Sequence, residues 1–486
     1  QDNSLTNIDV SANTALTKLN LENNQITSLD VSTNTALTDL SCASNQLIAL
    51  DVSSNTALSF LSSYGNQITS LNVNNATTLS LLDCGDNQLI SLDVSSNTAL
   101  TQLHCSSNQL TYLNMKNGLT KQLSSFSAQN NSLTCIEILD PDYATANWTY
   151  ANEDIDEGVT FDVICGAEAR THWYVATTGS DASGSGTLAS PLATIQVAIN
   201  VATDSDTVSV AAGTYVENIN FSGKNIAVLG AARETTIIDG NQSGSVVTFD
   251  SGEDSTTILD GFTIKNGTGT YFANLNSNVG GGIYISNTSN PSIINCVIKD
   301  NSPTGGNAAG GGIWCSNSNP TISYVDIFNN FSPDNGGGIS FEASNPVLNN
   351  VHIYNNTNGG WGGGIYFASS NPLLNNIVVS GNNSGGDGRG LAIRVSVVEM
   401  QNVTVANNLS TSSAGGIHLW GGSTLNVIHS ILWDNGPNQV YFDPTGDINN
   451  MTVNFSNIMN GQDSIATNEN GTLTWGDGNT DVDPMF

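Results

Sequence analysis

Positive charge is what this chain of 486 residues most lacks: 10 Lys and Arg stand against 42 Asp and Glu, a formal net charge of −32. Such a surface repels phosphate backbones and anionic headgroups, which excludes nucleic acid and charged membrane surfaces as partners. It also repels pectate, alginate and sulfated glycans unless a divalent cation bridges the two. No run approaches the ~20 apolar residues needed to cross a bilayer, so membrane insertion as a helix is excluded. Five His are too few for a convincing zinc cluster, and seven Cys spread over this length do not make a small disulfide scaffold. Gln1 opens directly on a polar segment, so the chain is expected to be the mature fragment of an exported protein.

What the chain does have is repetition. Leu16, Leu37, Leu58, Leu79 and Leu100 are spaced by one constant period of 21, and Leu19, Leu40, Leu61, Leu82 and Leu103 follow three behind each. Asn24, Asn45, Asn66, Asn87 and Asn108 keep the same step. One unit reads Leu16-x-x-Leu19-x-Leu21-x-x-Asn24-x-Ile26, a short strand followed by an Asn that caps backbone groups in a turn. The pattern resembles the leucine-rich repeat, and it covers residues 1–165. Cys42, Cys84 and Cys105 fill the site of Leu21 and are expected as buried free thiols. Cys135 and Cys165 bracket the segment that must seal the solenoid's end and are expected to form a disulfide.

A second period of 26 places Ile313, Ile339, Ile365, Leu391 and Ile417 in one series, most of them led in by glycines such as Gly310-Gly311-Gly312. Asn-Pro turns at Asn319-Pro320, Asn345-Pro346 and Asn371-Pro372 precede a second series with period-2 alternation, and Asn330, Asn356 and Asn382 form a third. Alternation inside a coil of constant length means short strands stacked in register, which predicts a parallel β-helix over residues 166–486. Its start, from Tyr174-Val175 through Thr194-Ile195-Gln196 to Gly213-Thr214-Tyr215, resembles the amino-terminal cap of secreted right-handed β-helix proteins of the pectate-lyase-like superfamily. That resemblance implies the fold and not a reaction, because the superfamily includes lyases, glycoside hydrolases, adhesins and passenger domains. The expected fold class is therefore a mainly-β repeat protein: an amino-terminal leucine-rich repeat solenoid followed by a right-handed parallel β-helix.

The residues between inward apolars define an outward column, Tyr284, Trp314, Ser340, Tyr366, Ala392 and His418, at the roughly 4.8 Å rise of neighbouring strands. Exposed flat rings in such a column suit sugar faces, so Tyr284, Trp314, Tyr366 and His418, extended by Trp420 and Trp361, are the candidate ligand-binding residues. The competing reading is stacking that only stiffens the face, or shelter beneath the loops at 301–309 and 382–389. Polar candidates are thinner. Asp326 and His352 occupy equivalent sites on consecutive coils and could orient an imidazole. Glu342 and Arg394 share a column two coils apart, roughly 10 Å and out of direct contact, with Asp387 and Arg389 in the turn just before. Polygalacturonase-type motifs have no counterpart, and no carboxylate pair at hydrolase spacing stands out.

These observations read as a secreted or cell-surface bacterial binding or adhesion protein, a monomer that recognises a polysaccharide or surface glycan. The leucine-rich repeat face, exposing Lys18, Asp39, Phe60, Leu81 and Gln102, would offer room for a protein partner. The rival reading is a polysaccharide lyase or glycoside hydrolase acting near Trp314, Glu342, Tyr366 and Arg394; a third is a structural stalk. No resident metal or cofactor is expected, calcium being the one ion that the acidic surface could draw.

Overall fold

The computed structural model describes residues 2–166, 170–410 and 413–485. The chain divides into two compact units, Gln1–Ala169 with Ser180–Ser185, and Arg170–Gly179 with Gly186–Phe486. A single cut after residue 165 is therefore too simple. Part of the reason is local: the buried Asn114 amide donates to the Ala182 carbonyl at 2.9 Å, which ties residues 180–185 to the first unit.

In the first unit each 21-residue turn gives three residues to a parallel sheet that runs from Lys18–Asn20 to Ser125–Ser127. The register sets Leu19, Leu40, Leu61, Leu82 and Leu103 in one row that ends on Phe126. Leu40, Leu61, Leu82 and Leu103 are fully buried, and each such side chain contributes roughly 1.5–3 kcal/mol. The repeated Asn satisfies backbone groups that no strand reaches. Asn45 Nδ2 donates to the carbonyls of Leu21 (2.9 Å) and Cys42 (3.1 Å), while Oδ1 accepts the Ile26 N–H at 3.0 Å, so one side chain stitches two successive turns together. Cys42, Cys84 and Cys105 are buried and unpaired, and burial pushes the Cys42 and Cys105 thiols up to about 12, which keeps them inert.

The end of this unit is closed by a disulfide between Cys135 and Cys165. Beside it Lys116, its side chain only 3% exposed, pairs with Glu137 at 2.7 Å and donates to the Val163 carbonyl at 3.1 Å. Tyr112 Oη donates to the same carboxylate at 3.2 Å. A buried charge is tolerated here because every neighbouring group answers it.

The second unit is a right-handed parallel β-helix. Among its described residues one ten-stranded and one twenty-stranded parallel sheet carry the coils. A representative coil runs Ile313–Ser316, Thr321–Ser323, Asp326–Phe328 and Phe331–Ser332, and returns one rung on at Ile339–Glu342. Ile283, Ile313, Ile339, Ile365, Leu391 and Ile417 stack in register and are fully buried. The Asn series forms a continuous buried ladder: Asn330 Nδ2 donates to the Ile298 carbonyl at 2.9 Å, and the Asn330 N–H donates to Asn356 Oδ1 at 3.0 Å. Two glycines show why the lead-in is needed. Gly336 has φ +64°, and a Cβ on Gly338 would lie 2.6 Å from the Gly364 carbonyl oxygen of the next coil. The expected cap helix is Ile195–Val201, with Thr194 accepting the Val197 N–H and Glu217 accepting the N–H groups of Ile195 and Gln196 at 2.9 Å.

Candidate functional site

The predicted column exists residue for residue. Strand register stacks Tyr284, Trp314, Ser340, Tyr366, Ala392 and His418 on the outer side of the ten-stranded sheet. Its exposure follows the competing reading, sheltered rings, and not the open platform. Tyr284 is 7% exposed, Trp314 0%, Tyr366 4% and His418 4%, so these rings are not an open platform. They lie outside the solenoid core but under a cover of their own. A hairpin, Thr270–Phe272 paired with Ser277–Val279, brings Phe272 to 4.7 Å from Trp314 between ring centroids, and Val279, Leu275 and Ala309 pack on the same rings. Tyr284 and Trp314 stack at 5.2 Å and 21° beneath them. An apolar ring on a sheet face is covered wherever the chain can supply apolar partners, and here it does.

The column opens again further along. Trp361 is 43% exposed and Trp420 is half-buried, with ring centroids 5.8 Å apart, and Tyr366 lies 6.1 Å from Trp420. The Trp361 backbone N–H donates to Asn335 Oδ1 at 3.0 Å, and Asn335 and Tyr366 both line a neighbouring pocket of about 370 Å³ together with Asp334, Glu342 and Arg394. The pocket has a sequence cause. Between Glu342 and Arg394 the register inserts Ala368, so a rung bearing only a methyl group separates two long charged side chains. Ala343 and Ser369 leave the wall equally low.

The electrostatics of this hollow are unusual for so acidic a chain. Burial pushes the Glu342 carboxyl above its ordinary value, offset in part by the Trp314 indole N–H, which donates to Glu342 Oε1 at 3.4 Å; Asp334 adds to the rise and Arg394 opposes it. Burial likewise raises Asp334. Burial raises the Tyr366 hydroxyl too, against its hydrogen bond with Arg394. Among the described residues Arg394 has no carboxylate within 4.0 Å, whereas Lys116, Arg233, Lys265 and Lys299 are all ion-paired. A larger hollow, about 570 Å³, lies in the first unit around Asp30, Asp51 and Asn72, but it offers neither a cation nor an aromatic ring.

The remaining candidates have other roles. Asp387 Oδ1 accepts the N–H groups of Ser413 and Ala414, and Arg389 donates to the Leu409 carbonyl, so this pair shapes a turn instead of gathering with Arg394. Asp326 and His352 do meet, Nδ1 to Oδ1 at 3.2 Å, with Arg233 on the second carboxylate oxygen at 3.0 Å. Asp334 and Asn335 were missed in the sequence, although Asn335 stands one period before Trp361 and two before Asp387 in the same turn.

Among curated proteins none matches the chain. Several solved structures resemble it. The functional domain of InlJ from Listeria monocytogenes, which includes a cysteine ladder, is 20% identical over 65% of this chain and 71% of its own, with a TM-score of 0.26. A leucine-rich repeat protein of Leptospira interrogans is 15% identical over 47% of this chain and 56% of its own, at 0.26. Carrot pectin methylesterase is 15% identical over 63% of this chain and 88% of its own, at 0.34. Residues 232–388, which hold Asp334, Asn335, Glu342, Trp361 and Tyr366, match the family model described as right handed beta helix region.

Proposed function

We propose that the protein is a secreted or cell-surface binding protein that recognises a glycan in the pocket between Glu342 and Arg394. The observation that carries this reading is a polar hollow, with Asp334, Asn335, Glu342, Tyr366 and Arg394 around it, next to two indoles: Trp420 6.1 Å from Tyr366, and Trp361 5.8 Å from Trp420. Carboxylates, amide and guanidinium would hold sugar hydroxyls, and the indoles would meet the apolar face of the ring. The leucine-rich repeat unit adds a second face for a protein partner, where Lys18, Asp39 and Phe60 border a hollow of about 430 Å³.

The test is retention on a panel of neutral and acidic polysaccharides with reducing-end detection in the same samples. Trp361→Ala and Arg394→Ala should each weaken retention by about tenfold, the loss expected for one ring or one charge-assisted contact. Retention unchanged in both variants rejects the pocket as the contact.

One observation favours an enzyme as the second reading: two carboxyls raised by burial share the pocket with Tyr366 and Arg394, an environment suited to proton transfer. New reducing ends would identify a hydrolase, and absorbance of unsaturated uronates a lyase. In either case Glu342→Gln should abolish turnover while leaving retention in place.

A further inference from the structure

A different face, on the twenty-stranded sheet, carries a row of large side chains that is interrupted by two small rungs. Register stacks Lys299, Phe328, Tyr354, Ser380, Ala406 and Trp433 on the outer side of consecutive coils. Phe328 and Tyr354 are stacked, centroids 4.8 Å apart and planes 12° off parallel, which is the rise of the coils themselves. Lys299 Nζ lies 5.8 Å from the Phe328 centroid on the preceding rung. Phe328 thus has neighbours on both sides, and Tyr354 has an aromatic neighbour on one. On its other side the next rung is Ser380, whose side chain is a single hydroxymethyl group.

The neighbouring row supplies a fixed polar group. Asp326 is held by Arg233 Nη2 at 3.0 Å and in turn holds His352 Nδ1 at 3.2 Å. That contact orients an imidazole whose side chain is 58% exposed and leaves Nε2 for a ligand. One rung on, next to Ser380, stands the apolar Val378. An aromatic face, an apolar floor, a hydroxyl and an oriented imidazole therefore border a stretch without rings that runs two coils, over Ser380 and Ala406, before Trp433.

We propose that this stretch is a second glycan-binding site, in which a neutral pyranose ring stacks on Tyr354 above Ser380 and a ring hydroxyl pairs with His352 Nε2. The ligand completes a stack that the chain itself begins. A sugar fits better than a nucleobase, because a chain of net charge −32 repels the phosphates that accompany bases. A neutral sugar fits better than an acidic one, because the nearby cations are engaged, Arg233 with Asp326 and Lys299 with Asp300 at 3.6 Å. The site lies on another sheet from the Glu342 pocket and does not depend on it.

The test is affinity electrophoresis of the full chain through native gels containing hydroxyethyl cellulose, mixed-linkage β-glucan or galactomannan. At least one should retard the protein. Tyr354→Ala should weaken that binding by about tenfold, the scale of one ring contact, and Tyr354→Trp should preserve it. Ser380→Tyr, which fills the rung next to Tyr354, should weaken it equally while the melting temperature stays unchanged. Because Arg394→Ala acts only on the other pocket, it should leave this component of binding intact, so failure at either site is visible separately. Equal retardation of wild type, Tyr354→Ala and Ser380→Tyr overturns the proposal, and so does the absence of retardation in all three gels.

Discussion

His418 is 4% exposed between Trp420 and Tyr441, with ring centroids 4.7 and 5.5 Å away and Asp443 Oδ2 at 3.5 Å from Nε2. Burial pushes this imidazole below its ordinary value, against the opposing pull of Asp387 and Asp443. The unfolded chain, with an ordinary imidazole near 6.5, therefore binds the extra proton first, so the stability this group contributes is present above about pH 6.5 and is lost as pH falls through the folded-state value. The melting temperature should drop between pH 7.5 and pH 5.5, and His418→Phe should flatten that slope; an unaltered slope would place the titration elsewhere. Glu342 works with the opposite sign. Its carboxyl is raised by burial, so its contribution is complete below the ordinary value and lost as pH rises through the raised one. Glu342→Gln should accordingly melt higher than wild type at pH 7, with the gap closing toward pH 4. At this scale the sequence told which side chains share a row, because a fixed period leaves no choice of register. It offered shelter beneath the 301–309 loop, whose Ala309 does pack on Tyr284 and Trp314, but not the larger cover from Phe272 and Leu275, because these come from a hairpin that obeys no period.

Turns and caps carry the order of the coils, and their cost can be measured. Asn356 Nδ2 donates to the Ile327 carbonyl at 2.9 Å and its Oδ1 accepts from Asn330, so Asn356→Ala orphans buried groups on two coils at once. A loss of about 1–3 kcal/mol is expected per stranded buried group, read as a lower denaturation midpoint in urea. In the first unit the Cys135–Cys165 link spans 30 residues, and removing it with the double Ser variant should cost about 3–4 kcal/mol in the chain-entropy account. The Lys116–Glu137 pair beside it should amplify that loss, since water admitted at the seal reaches a charge pair that is otherwise dry. Both the ladder and the seal were legible, the first as Asn at a constant step and the second as two Cys after the last repeat. Lys116 was not, because a single buried cation leaves no pattern in a sequence; only the fold shows that Glu137 and Val163 converge on it.

Across the whole molecule a net charge of −32 favours solubility and opposes compaction. Two explanations of that charge lead to different behaviour in salt. If the acids simply cover a large repeat protein, screening should stabilise it without regard to which cation does the screening: the Debye length shrinks from about 30 Å at 0.01 M salt to about 3 Å at 1 M, and the melting temperature should rise over that range. If acids are gathered into a calcium site, binding adds a stabilisation that grows with the logarithm of calcium concentration and does not follow ionic strength. The first behaviour is expected, because keeping a large repeat protein in solution is reason enough for such a charge. Parallel melts in NaCl and in CaCl2 at matched ionic strength decide the matter. Superimposable curves assign the charge to solvation, while an excess rise of several degrees at millimolar calcium would mean that carboxylates meet around an ion once it is supplied.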